Sequence, residues 1–137
     1  MTFSETILLN TRGFTDIIDL TSKVSSIVER SRIQDGLVTV CCPGSTGAVT
    51  TIEYESGVIR DLQKAIEKIV PSNIPYEHDS RWGDGNGFSH VRAALMKPSL
   101  SIPLIQARLA LGTWQQIVFI DFDNRERQRK IIVQIVG

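Results

Sequence analysis

Six segments of this sequence carry the residue patterns of β-strands, whereas only three carry helical patterns. Phe3 to Thr11 alternates apolar and polar residues, as a strand buried on one face does. Leu37 to Cys42 is apolar almost throughout and predicts a strand buried on both faces. The clearest helix is Ser56 to Val70, which has an apolar side and a charged side. The remaining patterns predict strands over 48–54, 100–106, 115–123 and 130–136, and helices over 20–32 and 87–96.

This order of elements predicts an α+β fold. The strand segments are expected to form a mostly antiparallel sheet in a sandwich, with two main helices on one face. A chain of 137 residues has the usual size of one domain, and it contains no repeat or linker. We therefore expect a single domain over residues 1–137.

The charge balance limits the classes of partner. The sequence has 15 Lys and Arg residues against 15 Asp and Glu residues, so its formal net charge is zero. A dedicated nucleic-acid surface needs a basic excess, and a membrane span needs about 20 apolar residues in a row. We therefore expect a cytoplasmic protein with neither a nucleic-acid nor a membrane partner. Because a neutral chain repels its copies weakly, self-association is permitted.

The segment from Pro71 to Ser89 has no periodicity, and irregular segments of this length are typical of functional loops. It contains His78, and His90 follows it directly; the chain has no other histidine. Together with Glu53 and Asp84, the two imidazoles suit an acid–base pair or a divalent-metal site for Mg²⁺ or Zn²⁺. The alternative is that each histidine is a hydrogen-bonded structural residue.

Glycines alternate with polar residues just before His90. Gly85 and Gly87 free the backbone so that its N–H groups can approach an anion. Asp84 and Asn86 can orient a ligand or a metal, and Asn86 is expected to cap the helix that carries His90. The alternative is a plain turn rich in Asp and Asn. We favour a ligand-binding loop, because capping alone does not need so many glycines.

Two further segments suit anion recognition. Pro43 to Gly47 lies between two predicted strands and contains the hydroxyls of Ser45 and Thr46. It is either a hairpin turn or part of an anion pocket. Arg108 borders an apolar run, and its guanidinium must reach water, an acid or a ligand. It is either a clamp for phosphate or carboxylate or one half of an intersubunit salt bridge.

The two cysteines, Cys41 and Cys42, are adjacent. In a strand they would point to opposite faces, and a bridge between neighbours would require a strained ring. Zinc clusters need more thiolates at wider spacing. We interpret both as small core residues, with a catalytic thiol as the less favoured alternative.

Three blocks of the sequence resemble the signature blocks of the YjbQ-like family, which is also called the secondary thiamine-phosphate synthase family. The blocks are residues 44–53, 84–90 and 108–115, and the resemblance covers essentially the whole chain. It implies a single α+β domain that assembles as a homotrimer in the cytoplasm. It also implies at most a weak thiamine-phosphate synthase activity, which joins a thiazole phosphate to a pyrimidine pyrophosphate.

The chain resembles the family as a divergent member. In the second block, the family's Asp-x-Asn and the following His correspond to Asp84, Asn86 and His90, while a phenylalanine stands where a further histidine is common. In the first block, the family's His-Thr-Thr-Ala is replaced by Gly-Ser-Thr-Gly at 44–47, while Glu53 is kept. Two imidazoles of the family pattern are therefore missing.

We therefore expect a trimeric enzyme or enzyme-like protein with a polar pocket for a small phosphorylated or otherwise anionic ligand. His90 would donate a proton or bind a metal, with Glu53 as its counter-charge or base and His78 beside it. The alternatives are a non-catalytic structural or interaction protein, and a divalent-metal binder without turnover. The residues expected to contact the ligand are Thr46, Asp84, Gly85, Asn86, Gly87 and Arg108.

Overall fold

In the computed structural model, residues 1–137 form eight β-strands and four α-helices. All nine elements that the sequence predicts are present. The strands are β1 (Thr2–Thr11), β2 (Asp16–Asp19), β3 (Gly36–Cys41), β4 (Gly47–Ile52), β5 (Ser99–Ile105), β6 (Arg108–Leu109), β7 (Gln116–Asp121) and β8 (Arg127–Val136). The helices are α1 (Thr21–Ser31), α2 (Ser56–Ile69), α3 (Glu77–Trp82) and α4 (Gly87–Met96).

The strands form two sheets in which every hydrogen-bonded pair is antiparallel. The larger sheet has the order β1-β8-β3-β5-β6, and the smaller has the order β2-β7-β4. The longest pairing joins β1 to β8 from Thr2 opposite Val136 to Thr11 opposite Arg127. The predicted α+β class and the antiparallel pairing are confirmed.

Strand β7 divides the apolar interior into two cores. Because successive side chains of a strand point to opposite faces, Ile117 and Phe119 face the larger core while Val118 and Ile120 face the smaller one. All four side chains are fully buried. The larger core also receives residues of β1, β3, β5 and β8, so it lies between the two sheets. The two sheets, with the larger core between them, form the predicted sandwich.

The helices are held by apolar residues at helical spacing. Helix α1 contributes Val24, Ile27 and Val28 to the larger core. Helices α2 and α4 cover the other side of the smaller sheet, where Ile66 and Ala93 pack into the second core. Helices α2 and α4 thus share one face of the smaller sheet, while α1 packs on the larger core. None of the four helices combines the length and the hydropathy that a membrane crossing requires.

Three local features differ from the sequence prediction. Strand β3 is buried on one face only, because Val38 and Val40 enter the core while Leu37 lies on the exposed outer face of the larger sheet. Strand β2 is not predicted, because four residues are too few to establish an alternation. Helix α3 lies inside the segment expected to be irregular. It has six residues and none is buried, so no apolar periodicity reveals it.

Candidate functional site

A buried charged cluster lies where β7 ends and β8 begins. Asp121 is fully buried, and Arg129 binds both of its carboxylate oxygens, with Nε–Oδ2 and Nη2–Oδ1 distances of 2.7 and 2.8 Å. Thr11 donates a further hydrogen bond to Asp121 Oδ2 at 2.6 Å. Burial acts to lower the pKa of Arg129, but the hydrogen bonds and charge of Asp121 outweigh it and raise that pKa. Arg129 is therefore charged at neutral pH.

Asp123, the second buried acid, joins the two candidate ligand loops. Its Oδ1 accepts a hydrogen bond from Asn86 Nδ2 at 3.2 Å, and its Oδ2 accepts one from Thr46 Oγ1 at 3.3 Å. Arg127 donates to the same Oδ2 from Nε and Nη2, at 2.9 and 2.6 Å. Burial acts to raise the pKa of Asp123, but hydrogen bonds from Asn124, Asn86 and Arg127 outweigh it and lower that pKa.

Asn86 and Thr46 each hold their own loop in place by donating a hydrogen bond to the buried Asp123. Asn86 occupies the N-cap position of α4, but its side chain does not cap the helix as predicted. Its amide turns to the buried Asp123 instead, and the carboxylate of Asp79 accepts the free N–H of Gly87 at 2.8 Å. A charged acceptor from a neighbouring helix thus satisfies the end of α4.

Helices α3 and α4 bring the two histidines together. The rings of His78 and His90 have centroids 4.5 Å apart and are tilted by 40°. The chain reverses between the two helices through Gly83 and Gly85, whose φ angles of 74° and 68° favour glycine. Gly87 then packs so closely on Tyr76 that a Cβ atom would lie 2.7 Å from the Tyr76 Cβ. Glycine is therefore needed for this approach.

An incompletely paired group of ligand atoms surrounds His78. Its Nδ1 lies 3.5 Å from Asp79 Oδ1 and 3.3 Å from Asp84 Oδ1, yet it makes no hydrogen bond. One ligand atom from each residue lies within 4.8 Å of the others. One imidazole nitrogen and two carboxylate oxygens are donors that Zn²⁺ accepts. Asp79 was not among the predicted site residues, and its proximity depends on α3.

A pocket of about 200 Å³ lies beside His90. Its opposite wall is the turn between β3 and β4, including Gly44 and Ser45. The backbone of Gly44 has φ +137°, which excludes most side chains at that position. The structure therefore joins two of the predicted segments, the 43–47 turn and the start of α4, around one cavity.

Glu53 and Arg108 lie away from this cavity in the single chain. Glu53 is exposed beyond the far end of β4, and six residues of strand separate it from Gly47 by about 20 Å. Arg108 is exposed on the edge strand β6 and lines a depression together with Glu29 of α1. A cavity shared by both histidines, Glu53 and Arg108 is therefore not formed within this chain, because strand length and sheet order keep these residues apart.

The two cysteines lie in different environments. Cys42 is buried in the larger core, and Cys41 is half-buried; both are free thiols. Burial raises the pKa of Cys42 to about 11, against a smaller opposing effect of Arg129. The thiol is therefore protonated at neutral pH and packs as a small apolar residue, in keeping with its interpretation as a core residue.

The buried ion pairs are the main feature that sequence reasoning missed. Asp121 and Asp123 are two residues apart, as are Arg127 and Arg129, so each pair occupies one face of an extended segment. The sequence does carry a signal for these pairs. Two acids interrupt the end of an apolar strand, and two basic residues follow just after the next turn. Their matching spacing indicates that the four side chains meet across the turn.

Fold and site together define a class of α+β protein in which a two-sheet sandwich carries a histidine pair beside a glycine-rich loop. A family model described as "UPF0047 protein YjbQ-like" matches residues 5–137. A UPF0047 protein of Archaeoglobus fulgidus is 40% identical over 126 residues, 92% of this chain and 95% of the relative. One of Methanothermobacter thermautotrophicus is 36% identical, covering 98% and 92%. The chain belongs to the UPF0047, or YjbQ-like, family.

Solved structures agree with this assignment. A YbjQ-like protein of unknown function from Sulfolobus solfataricus superposes with a TM-score of 0.95 at 27% identity, covering 100% of this chain and 98% of the other. A YjbQ/UPF0047 family protein from Clostridium acetobutylicum gives 0.88 at 34% identity, covering 96% and 99%. The resemblance stated from the three sequence blocks is thereby confirmed, and so is the fold.

Proposed function

We propose that this protein binds a small phosphorylated or otherwise anionic ligand in the pocket beside His90, and that any transfer reaction it catalyses is weak. The observation that carries the proposal is a cavity lined by His90 and the 43–47 turn, with the ring of His78 4.5 Å from that of His90. Imidazole N–H, the Ser45 hydroxyl and backbone N–H groups are donors suited to phosphate oxygens. Two segments that are distant in sequence, the 43–47 turn and α4, therefore meet at this cavity.

Each half of the histidine pair has a distinct part in the proposal. His90 lines the pocket and is the group that would donate a proton to a leaving oxygen. His78 lies against it and faces Asp79 and Asp84. If the reaction is the formation of thiamine phosphate, pyrophosphate leaves, and a bound Mg²⁺ would supply charge neutralisation for it. The two carboxylates beside His78 are the side chains that suit this cation.

The proposal includes assembly as a homotrimer. Glu53 and Arg108 are exposed in the single chain, and Trp114 in the same block as Arg108 is 71% exposed. Exposed tryptophan and arginine side chains are typical of protein interfaces. We place Arg108 and Glu53 at the contact between copies, where they would complete the site of a neighbour as anion clamp and counter-charge. As the family resemblance implies, we place the assembly in the cytoplasm.

A second candidate function is divalent-metal binding without turnover. It is favoured by His78 Nδ1, a buried nitrogen that has two carboxylate oxygens within 3.5 Å and no hydrogen bond. An unpaired buried nitrogen is costly, and a cation would satisfy it together with both acids. Zn²⁺ or Mg²⁺ titrated alone tests this function.

Calorimetric titration with inorganic phosphate, pyrophosphate and thiamine phosphate tests the main proposal. We expect the wild-type protein to bind at least one of them and His90→Ala to weaken that binding by at least tenfold. Val91→Ala is the matched control, because Val91 is the exposed neighbour on the same helix. Absence of binding to the wild type would refute the ligand proposal. Dissociation of the assembly by His90→Ala, followed by light scattering, would favour the structural alternative.

The catalytic part has a separate test. The thiazole phosphate and the pyrimidine pyrophosphate are incubated with the protein and Mg²⁺, and thiamine phosphate is quantified. We expect slow product formation that His90→Ala abolishes and Val91→Ala retains. Product formation that is equal in both variants, or equal to that of a blank, would leave a binding protein without this activity.

A further inference from the structure

A second pocket, larger than the one beside His90, lies on another side of the smaller core. Its volume is about 340 Å³, within the range of small-molecule sites. Four connections meet there: the β1–β2 turn, the segment after α2, the glycine-rich loop and the β7–β8 turn. No residue that lines it also lines the His90 pocket. The lining residues that matter below are Phe14, Thr15, Gly85, Phe88 and Arg92.

The rim of this pocket is a strained turn. Phe14 and Thr15 have φ angles of 53° and 63°, and such values are outliers for bulky or β-branched residues. The conformation is enforced by Phe14 N–H donating to Asp123 O at 2.7 Å and Thr15 N–H donating to Asp121 O at 2.8 Å. The result is a phenylalanine that is 67% exposed at the pocket mouth. Strain held by surrounding structure is typical of ligand-binding segments.

The inner wall is the buried guanidinium of Arg92, which is 3% exposed. Its Nε donates to Val70 O at 3.0 Å, and its Nη2 donates to Val70 O at 2.7 Å and to Glu67 at 2.5 Å. Its Nη1 donates to Thr15 Oγ1 at 3.1 Å. Four of the five N–H donors of an arginine are therefore used, and one on Nη1 is free.

Two donors in the wall of this pocket, on Arg92 and Thr15, have no hydrogen-bond partner. The Thr15 hydroxyl accepts from Arg92, so its own hydrogen is available next to the free Nη1 hydrogen. Glu67 accepts from Ser72 with Oε1 and from Arg92 with Oε2, so both of its oxygens are engaged. Two neighbouring donors in a buried wall call for an oxygen acceptor from a ligand.

The aromatic groups indicate the rest of the ligand. Arg92 Cζ lies 4.8 Å from the centroid of the Phe88 ring, which is 5% exposed and lines the pocket. Phe14, which is 67% exposed, lines the same pocket. A flat ring in contact with these aromatic side chains gains burial and stacking contacts.

We propose that this pocket binds a small aromatic molecule that carries a carbonyl or carboxylate oxygen, with the ring against Phe14 and Phe88 and the oxygen accepting hydrogen bonds from Arg92 Nη1 and Thr15 Oγ1. The site is independent of the one beside His90. Because Glu67 balances the charge of Arg92, the hydrogen-bonding pattern rather than net charge selects the ligand.

Three probe molecules of one shape test the proposal by ¹H–¹⁵N chemical-shift titration of the full chain. Benzamide and benzoate carry an oxygen acceptor, whereas benzamidine offers only donors. We expect benzamide and benzoate to shift the amide signals of Thr15, Gly85 and Phe88, and benzamidine to leave them in place. The response to benzamide against benzoate then shows whether a neutral carbonyl or an anion is preferred.

Variants separate the site from non-specific ring binding. Phe14→Ala should weaken probe binding at least fivefold, whereas Trp82→Ala, an equally exposed aromatic outside the pocket, should have no effect. Thr15→Val removes the hydroxyl donor and should weaken binding further; Phe14→Ala decides the question if Thr15→Val does not fold. His90→Ala should leave the affinity unchanged. Equal shifts with benzamidine, no shifts with any probe, or equal effects of Phe14→Ala and Trp82→Ala would overturn the proposal.

Discussion

Two charged clusters meet the glycine-rich loop, one through Asn86 and the other through Asp84, and they differ in how completely their polar atoms are paired. In the Asp121–Asp123 cluster both acids are fully buried, and their oxygens accept bonds from Arg127, Arg129 and neighbouring groups. In the His78 cluster the imidazole Nδ1 has no hydrogen bond, and the Asp84 side chain is 51% exposed. The first cluster holds the fold together, whereas the second has bonding capacity left for a ligand.

The comparison teaches that charge alone does not mark a functional site in this protein. A buried acid whose oxygens already accept hydrogen bonds has no acceptor left for a substrate. Its removal leaves the partner charge buried without that pairing. A partly exposed side chain whose polar atom has no hydrogen bond costs the fold little when it is removed, and it can bind a cation. Substitution should therefore cost the fold much more stability in the first cluster than in the second.

The largest expected effect is on stability at the buried cluster. Asp121→Ala removes the two close carboxylate contacts of the Arg129 guanidinium and leaves only Asp123, at 3.9 Å, so we expect a loss of about 3–5 kcal/mol in the free energy of unfolding. Urea denaturation followed by circular dichroism measures it. Asp84→Ala, the matched removal of an acid from the half-exposed cluster, should cost less than about 1 kcal/mol. Equal losses in the two variants would remove the distinction.

The next effect concerns metal affinity at the other cluster. We expect Zn²⁺ to bind the wild-type protein and His78→Ala to weaken binding by at least tenfold, about 1.4 kcal/mol, because the only nitrogen donor of the group is lost. Isothermal titration with zinc chloride measures the affinity. His78→Ala should change the urea midpoint little. A variant that keeps wild-type zinc affinity would contradict the assignment of His78 as a ligand.

The pH dependence of stability tests the buried Asp121–Asp123 cluster by a second measurement. The pKa of Asp123 is lower in the folded protein than its ordinary value of 3.8, so the unfolded chain binds its proton more readily. The contribution of Asp123 to the free energy of unfolding is therefore complete above its ordinary pKa, and it is lost as the pH falls through the lower pKa of the folded protein. Urea unfolding between pH 5 and pH 2 should show this decline. Asp123→Asn should make the pH dependence shallower, and an unchanged slope would contradict it.

The smallest effect is expected at the strained β1–β2 turn. Phe14→Gly relieves a left-handed backbone at a mostly exposed side chain, at the cost of a more flexible unfolded chain. We expect a net stabilisation of about 1 kcal/mol, measured as a higher thermal midpoint. Phe14→Ala keeps the strain and serves as the control. A lower thermal midpoint for Phe14→Gly than for Phe14→Ala would show that the left-handed backbone at Phe14 does not destabilise the fold.

Local patterns were sufficient for most of the fold and for half of the candidate site. The alternation in β1 and the apolar stripe of α2 identify these elements because their burial repeats with the period of the backbone. The glycine density around His90 likewise marks the loop beside the pocket. Helix α3 was not predicted, because none of its residues is buried. The approach of Asp79 to His78 depends on that helix and was therefore not predicted either.

The sequence by itself determined the family, the α+β class and which segments are strands or helices, because these follow from short-range periodicity and from motifs read in order. Only the tertiary structure decided which distant side chains meet. It brought His78 within 4.5 Å of His90 through a reversal at two left-handed glycines. It also placed Glu53 at the far end of a strand, because distances between segments depend on packing that no local pattern encodes.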